Sequence, residues 1–210
     1  GVSGLVAPPF SMDQLVDLAE KHPLHGSALE QKAADTVSSG IKFVATSDDA
    51  DQAQADDIVA WLESLTREET FTEILQTLWL DEETVGWGIL EAARDNRGVL
   101  RQVWQVPGHT VRIHSNRLLL VQERQGRRVW FKRWGGTWTD GRPLKEVPIL
   151  SASGNRAPQG TGFDKLANEV LVFVRPSRRS SYYGVPNYVT AMGHIALSLA
   201  ARDYNIKFFT

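Results

Sequence analysis

The chain of 210 residues contains no cysteine, which excludes disulfide bonds, thiolate metal sites and cysteine nucleophiles. It also lacks a large excess of charge of either sign. The sequence has 23 Lys and Arg residues and 25 Asp and Glu residues, which gives a formal net charge of −2. No global field therefore draws the chain to nucleic acid or anionic lipid, and any contact with DNA has to be local or collective.

Long apolar runs are missing as well. The longest aliphatic run, 118–121, is one short strand in length, whereas a bilayer span needs about 18 apolar residues. The first residues show neither a basic region nor the apolar run of a signal peptide. We expect a chain that is neither inserted in a membrane nor exported.

What the sequence does contain is enough apolar material for a packed core. Of its residues 42% are apolar and 23% are charged, which is typical of one globular domain or two small ones. A chain of this length buries roughly 70% of the surface that its unfolded form exposes. The core should therefore form without covalent staples.

The first 65 residues are predicted to form helices. Ser11 has the spacing of a helix-capping residue before an apolar stripe, and Pro23 ends that helix and opens a second one. The Ser-Ser-Gly run at 38–40 terminates the second helix, and a short extended piece follows at 41–45. The apolar face of a third helix is predicted to consist of Ile58, Trp61, Leu62 and Leu65.

From Thr66 the pattern indicates one further helix, after which the apolar period becomes that of strands. A fourth helix, opened by Thr66 or Thr70, precedes a β-hairpin formed by 85–94 and 99–106. The acidic run Asp81, Glu82 and Glu83 between them is interpreted as a solvated turn in preference to a magnesium site. Further strands are predicted at 110–114, 118–124, 128–134 and 137–139. Gly and Asn turns separate them, which predicts an antiparallel meander.

The last third of the chain mixes loop, strand and helix. Residues 140–168 are rich in Gly, Pro, Ser and Asn and are expected to form a long surface loop with a mobile tip. Residues 170–174 form a strand suited to the middle of a sheet, and a helix runs from Pro186 to the end of the chain. That helix has two apolar stripes, so we expect it to need two partners and to dock against another subunit, or the chain to be a fragment. The first stripe contains Val189, Met192, Ile195, Ala196, Leu199 and Ile206, and the second contains Leu197, Ala200, Ala201, Tyr204 and Phe208.

Motifs that carry chemistry are not found. There is no phosphate-binding loop, no nucleophile elbow and no spacing of histidines suited to zinc, so no catalytic, cofactor-binding or metal-binding residue is assigned. Two alternatives stay open. Trp104, Trp130, Trp134 and Trp138 interleave with basic residues, which would suit a nucleic-acid- or glycan-binding module. A hydrolase site assembled in space would place His109 or His114 beside a carboxylate in a deep pocket.

The order of four segments resembles that in the portal proteins of tailed bacteriophages. A hairpin with VGWGILE at 85–91 and RDNRG at 94–98 is followed by VPGHTVR at 106–112. EVLVFVR at 169–175 and YGVPNYVTA at 183–191 come later, and the helix at 196–209 looks like the family's helix at that place. The resemblance covers roughly residues 70–210. The motif positions it marks are Glu91, Arg94, Asp95, Gly98, Pro107, Arg112, Tyr183, Gly184, Pro186 and Ala191.

This resemblance implies an α+β fold with N-terminal helices, a central antiparallel β-meander and a long C-terminal helix. Residues 1–65 would be the helical part of the portal wing, 66–182 its α+β part with a long loop near 140–168, and 183–210 a helix leading towards the stem. Portal proteins are about twice as long, so the likeness is mainly to the wing.

The resemblance also implies a mechanical function without catalysis or cofactor. Portal subunits form a dodecameric ring at one capsid vertex, through which DNA is packaged by a terminase and to which capsid and tail-connector proteins attach. Such a chain would be found in the virion and, before assembly, in the host cytoplasm, without a membrane partner and without itself binding the passing DNA. The expected contacts between subunits are Arg175, Arg178, Arg179, Met192, Leu199, Tyr204 and Phe208.

Overall fold

The fold is described by a computed structural model, which covers residues 4–43, 52–66, 68–95, 97–151, 153–157 and 166–209. The helices are α1 (Met12–Lys21), α2 (Pro23–Val37), α3 (Gln52–Ser64), α4 (Phe71–Val85) and α5 (Met192–Phe209). The strands are β1 (Trp87–Arg94), β2 (Leu100–Gln105), β3 (Val111–Ile113), β4 (Leu119–Arg124), β5 (Arg127–Arg133) and β6 (Glu169–Val174). Short 3-10 turns lie at Gly108–Thr110, Leu144–Glu146 and Asn187–Ala191.

The helix boundaries follow the local signals in the sequence. The Ser11 hydroxyl accepts a hydrogen bond from the Gln14 amide and caps α1, and Pro23 occupies the first turn of α2. Thr70 and Glu73 exchange side-chain and backbone hydrogen bonds in a capping box at the start of α4. The predicted extended piece is not a strand over 41–43, and the rest of it lies outside the described residues.

The strands form one sheet with the order β2-β1-β6-β5-β4-β3. β1 and β2 form the predicted hairpin, and β3, β4 and β5 form an antiparallel meander. β6 lies between these two groups, antiparallel to β1 and parallel to β5. The α+β class is confirmed, and so is the central position of the strand near residue 170.

The two faces of the sheet carry separate cores. On one face, Ile89 and Phe131 pack with Met12 and Leu15 of α1. On the other face, Leu90 packs with α4 and Leu65 at the β1–β2 end. Trp130 lies on this second face at the β4–β5 end, opposite its neighbour Phe131, as the alternation along the strand predicts.

The prediction of a surface loop at 140–168 is wrong in part, because the described segment also contributes to the core. Leu144, Val147 and Ile149 have no exposed surface, and they pack against Trp130 together with Ala167. The segment is irregular apart from a 3-10 turn, and its buried apolar residues alternate with exposed residues such as Lys145 and Glu146. The expected mobile tip lies largely outside the described residues.

Three other predictions need correction. The run Asp81–Glu83 is not a solvated turn, because α4 continues to Val85 and both Glu82 and Glu83 are buried in its last turn. The predicted strand at 137–139 is reduced to a single bridge between Thr137 and Pro143. The chain after Pro186 first forms a 3-10 turn, and α5 begins only at Met192.

Candidate interaction surface

Helix α5 carries the largest group of highly exposed apolar side chains among the residues that the structure describes. None of the residues of this helix is buried. Leu197 and Tyr204 are each 67% exposed, Phe208 is 69% exposed and Phe209 is 81% exposed. Soluble domains rarely leave several large apolar side chains uncovered on one element, so this helix is a candidate contact surface.

The two apolar stripes of α5 differ in how far they are covered. Part of the first stripe faces the body, where Met192 packs against the core that includes α1 and Leu199 is half-buried, whereas Ala196 and Ile206 are exposed. Arg202 extends this contact, because its guanidinium donates a 2.9 Å hydrogen bond to the carbonyl of Lys21. The second stripe, here called the outer stripe, is Leu197, Ala200, Ala201, Tyr204 and Phe208, and all its members are exposed.

Two tyrosines fix the segment that leads into α5. The Tyr183 hydroxyl donates to the carbonyl of Val6 at 2.6 Å and accepts from the amide of Ile113 at 2.8 Å. The Tyr188 hydroxyl donates to the carbonyl of Thr84 at 2.7 Å. Burial raises the pKa of both phenols, so they remain neutral donors. These contacts attach the start of α5 to the N-terminal arm, to β3 and to the end of α4.

A close backbone crossing lies next to these tyrosines. Gly86 ends α4 in the left-handed conformation with a φ of +90°, and Gly184 packs directly on it. A Cβ atom on Gly184 would overlap the carbonyl oxygen of Gly86, which accepts a hydrogen bond from the Arg175 amide at 3.0 Å. Only glycine at 184 allows the two backbones to approach this closely.

Arg175 connects the chain after β6 to the end of α4 through ion pairs. Its guanidinium pairs with both Glu82, at 2.6 Å, and Glu83, and Lys32 of α2 pairs with Glu83 at 2.7 Å. The hydrogen bond to Glu82 raises the pKa of Arg175 above its ordinary range. Arg175 therefore makes its ion pairs within the chain, and its contact between subunits stays a prediction.

The other arginines of this loop differ from Arg175. Arg178 and Arg179 are exposed, and Arg179 lies 5.4 Å over the ring of Phe10. A cation–π contact of this kind contributes only about 0.5–1 kcal/mol at an exposed site. Both side chains are accessible for the intersubunit contact predicted for them.

The motif positions on the β1–β2 hairpin are engaged in buried polar contacts. Arg94 donates to Glu169 at 2.6 Å and stacks on the ring of Trp134 at 4.5 Å. The Glu91 carboxylate accepts from the Asn168 amide at 2.6 Å, and burial raises its pKa. These pairs join β1 to the start of β6, so they position the two strands.

The hairpin turn and the loop after β2 are stabilised by local bonds. Asp95 accepts hydrogen bonds from the amides of Arg97 and Val99, which lower its pKa together with the Arg101 guanidinium. Gly98 takes a φ of +78° in this turn. The remaining motif positions have similar structural roles. The Pro107 carbonyl accepts from Thr110, and Arg112 donates to the carbonyls of His109 and Val111. Pro186 is buried just before the 3-10 turn, and Ala191 is the last residue of that turn.

Sequence reasoning missed the role of Asp81. Its carboxylate accepts a 2.8 Å hydrogen bond from the Gly108 amide and another from the Gln105 side chain. Desolvation raises its pKa to about 6, although both hydrogen bonds oppose the shift. Its position in an acidic run gave no sign of burial, because both donors lie more than twenty residues away along the chain.

The structure does not assemble the predicted aromatic platform. Trp130 is only 3% exposed, and Trp138 packs against the core cluster that contains Leu144 and Ile149. Trp104 lies on β2, and the exposed Trp134 follows β5, so that β1 and β6 separate them in the sheet. Stacking of successive bases needs neighbouring rings, which these positions do not provide.

The histidines do not assemble the expected hydrolase site in the described residues. His109 lines a cavity of about 230 Å³ together with Asp81, Glu20 and Glu30, but its imidazole makes no hydrogen bond to a carboxylate within the described residues, and the Asp81 Oδ2 atom accepts from Gln105 and Gly108. His114 accepts from the Asn116 amide and lies against Trp130. No group of three or more His, Asp or Glu side chains among the residues described is arranged to hold a metal ion. Within those ranges no helix is both long and apolar enough to cross a bilayer.

Comparisons with known proteins find solved structures that share this fold. No protein-family profile and no curated protein sequence matches the chain. Among solved structures, a chain from the neck of an empty gene transfer agent (GTA) particle, computed with C6 symmetry, is similar with a TM-score of 0.67 and 13% identity. A chain from the virion of the native GTA particle has a TM-score of 0.64 and 13% identity. A chain from the neck of the native particle, computed with C12 symmetry, has a TM-score of 0.61 and 12% identity.

Each of these matches covers 100% of this chain and 48% of the other chain. The chain therefore spans about half the length of the structures it resembles. At such low identity the likeness establishes a shared fold, and function has to be argued from the surface.

Proposed function

We propose that this chain is a structural subunit of a phage-like particle, and more narrowly a portal subunit that assembles as a ring. The observation that carries the proposal is the outer stripe of α5, an apolar face that the described residues leave uncovered. A monomer gains nothing from such a face, whereas a subunit of an oligomer buries it against a neighbour.

Two further observations support the proposal. The fold is shared with chains from the virion and neck of GTA particles, and two of those structures were computed with C6 and C12 symmetry. The order of the hairpin, the strand at 169–175 and the segment 183–191 resembles that of portal proteins. In this proposal, residues 1–65 and 66–182 form the wing, and 183–210 lead towards the stem.

The proposed role is mechanical. DNA would pass through the ring during packaging and ejection, driven by a separate terminase, while capsid and tail-connector proteins bind its outside. The chain would be part of the virion after a stage in the host cytoplasm. Its near-balanced charge suits a part of the ring away from the DNA path, because a DNA-binding surface would carry an excess of Lys and Arg.

The oligomeric state tests this proposal. We expect mass photometry of the purified chain to show a large discrete species, and negative-stain images to show rings, dodecameric in the narrower form of the proposal. The double variant Tyr204→Ser with Phe208→Ser should remove this species. Leu24→Ser is the matched control, since Leu24 is apolar and 79% exposed on α2 and should not matter. A chain that stays monomeric at every concentration would contradict the proposal.

A further inference from the structure

A second helix, α3, also leaves large apolar side chains exposed, although less than α5 does. Along α3, Ile58 is 37% exposed and Trp61 is 47% exposed. Of the large apolar side chains of α3, Leu62 joins a core cluster, and Leu65 just beyond the helix is buried. Ile58 and Trp61 share the apolar face of the helix with Leu62 and Leu65, but they lie outside that cluster and are exposed.

The charges of α3 and α5 are opposite. Between 52 and 64 the helix α3 carries three carboxylates, those of Asp56, Asp57 and Glu63, and no Lys or Arg. Helix α5 carries Arg202 and Lys207 against one carboxylate, that of Asp203. Arg202 pairs with Asp203 at 3.0 Å. Lys207 is therefore the basic residue of α5 that has no ion pair within the described residues.

These charges lie beside the exposed aromatic rings. Asp57 precedes Trp61 by four residues, and Lys207 follows Tyr204 by three, so each charge shares a helix face with its ring. On α5 the rings of Tyr204 and Phe208 stack with centroids 6.1 Å apart and form one continuous apolar surface. Each open face is thus an aromatic patch with a charge at its side, negative on α3 and positive on α5.

We propose that the outer stripe of α5 in one copy packs against the Ile58–Trp61 face of α3 in a neighbouring copy, with Lys207 beside Asp57. This inference rests on the proposed assembly and names the surface that receives α5. The two faces are different, so every copy offers one of each to its two neighbours. A heterologous contact of this kind generates a closed ring when its rotation closes.

The absence of cysteine in the chain allows a clean cross-linking test. Two single variants, Trp61→Cys and Tyr204→Cys, are prepared separately, mixed and treated with a short bismaleimide. Trp61 is 47% exposed and Tyr204 is 67% exposed, so we expect both variants to fold. The mixture should give a covalent dimer, whereas each variant alone should give little. Leu24→Cys mixed with Tyr204→Cys is the control for random collision, because Leu24 is even more exposed.

Combining Trp61→Cys and Tyr204→Cys in one chain sharpens the test. Linkage between neighbours should then produce a ladder of covalent oligomers, whereas linkage within one copy would leave the mass of a monomer and overturn the inference. Rings that form without the Trp61–Tyr204 link, or with a Tyr204–Tyr204 link, also overturn it while the proposed function stands. If no oligomer forms in mass photometry, the proposed function itself fails.

A charge exchange provides a readout that does not depend on cross-linking. Asp57→Lys should raise the concentration needed for assembly roughly two- to five-fold, as expected for loss of one exposed ion pair. Lys207→Asp in the same chain should restore the original value. Equal effects of the single and the double variants would contradict the pairing of Lys207 with Asp57.

Discussion

The carboxylate of Asp81 stabilises a turn through a hydrogen bond, but its burial disfavours its own negative charge. It holds the turn at Gly108 against the end of α4 through its hydrogen bond to the amide. Burial disfavours its charged form and raises its pKa to about 6. The folded chain therefore binds a proton at this carboxylate more tightly than the unfolded chain does.

The sign of the resulting pH dependence follows from linkage. A carboxylate whose pKa is raised in the folded state adds stability at low pH, and this contribution is lost as the pH rises through about 6. Between pH 7.5 and pH 5 the shift at Asp81 should add roughly 1.4 kcal/mol to the free energy of unfolding.

Asp81→Asn removes this titration while keeping an oxygen that can accept from the Gly108 amide. As the pH falls from 7.5 to 5, we expect the original chain to gain stability at Asp81 that the Asp81→Asn variant does not gain. The free energy of unfolding of the original chain should therefore rise relative to that of the variant. Urea denaturation at several pH values measures it. Asp13→Asn, at an exposed position in α1, is the control and should show no comparable change. A pH-independent difference for Asp81→Asn would show that Asp81 has no raised pKa.

At the scale of elements, the junction between α4 and α5 depends on the contact of Gly86 with Gly184. A side chain at 184 would overlap the Gly86 backbone, which cannot move without displacing the start of β1. We expect Gly184→Ala to destabilise the fold by more than about 2 kcal/mol, because the strain falls on backbone atoms.

The same change elsewhere in this region serves as the control. Gly193 lies in the first turn of α5 and has open space around it, so Gly193→Ala should be neutral or stabilise by about 0.5 kcal/mol. Thermal unfolding followed by circular dichroism compares the two variants. Similar melting temperatures for both would mean that the two backbones can separate at little cost.

The sequence predicted those elements whose signals are local. Ser11, Pro23 and Thr70 mark helix starts, and the alternation in β4 and β5 predicts the meander, because each signal depends on residues a few positions apart. The acidic run at 81–83 was misread, since its partner Arg175 lies 93 residues from Glu82. Leu144 and Ile149 were missed because an irregular buried segment has no period to detect.

The candidate surface was predictable only in part. The two stripes of α5 follow from helical spacing alone, and the structure adds that one of them lies against α1. The anchoring of this helix by Tyr183 and Tyr188 was not predictable, because their acceptors, Val6 and Thr84, are distant in the chain. Tertiary partners of polar groups are the part of the site that residue patterns do not encode.

At the scale of the whole molecule, stability is distributed unevenly. The sheet and α4 carry the buried clusters, whereas α3 and the last turns of α5 contribute few buried side chains in the described ranges. Local opening is easiest where little apolar surface is buried. In the dilute monomer, the amides of α3 and of residues 203–209 should therefore exchange much faster than those of β1, β6 and α4.

Assembly should change this pattern in a specific way. If α5 of one copy covers α3 of the next, both helices gain protection together, while β1 and β6 remain as protected as before. Hydrogen–deuterium exchange read by mass spectrometry below and above the assembly concentration measures this. The exposed β4–β5 turn at 124–128 is the internal control, and its exchange should stay fast in both states. Protection of α5 without α3 would place another surface of the neighbour on the outer stripe, because a helix that becomes buried cannot leave its partner exposed.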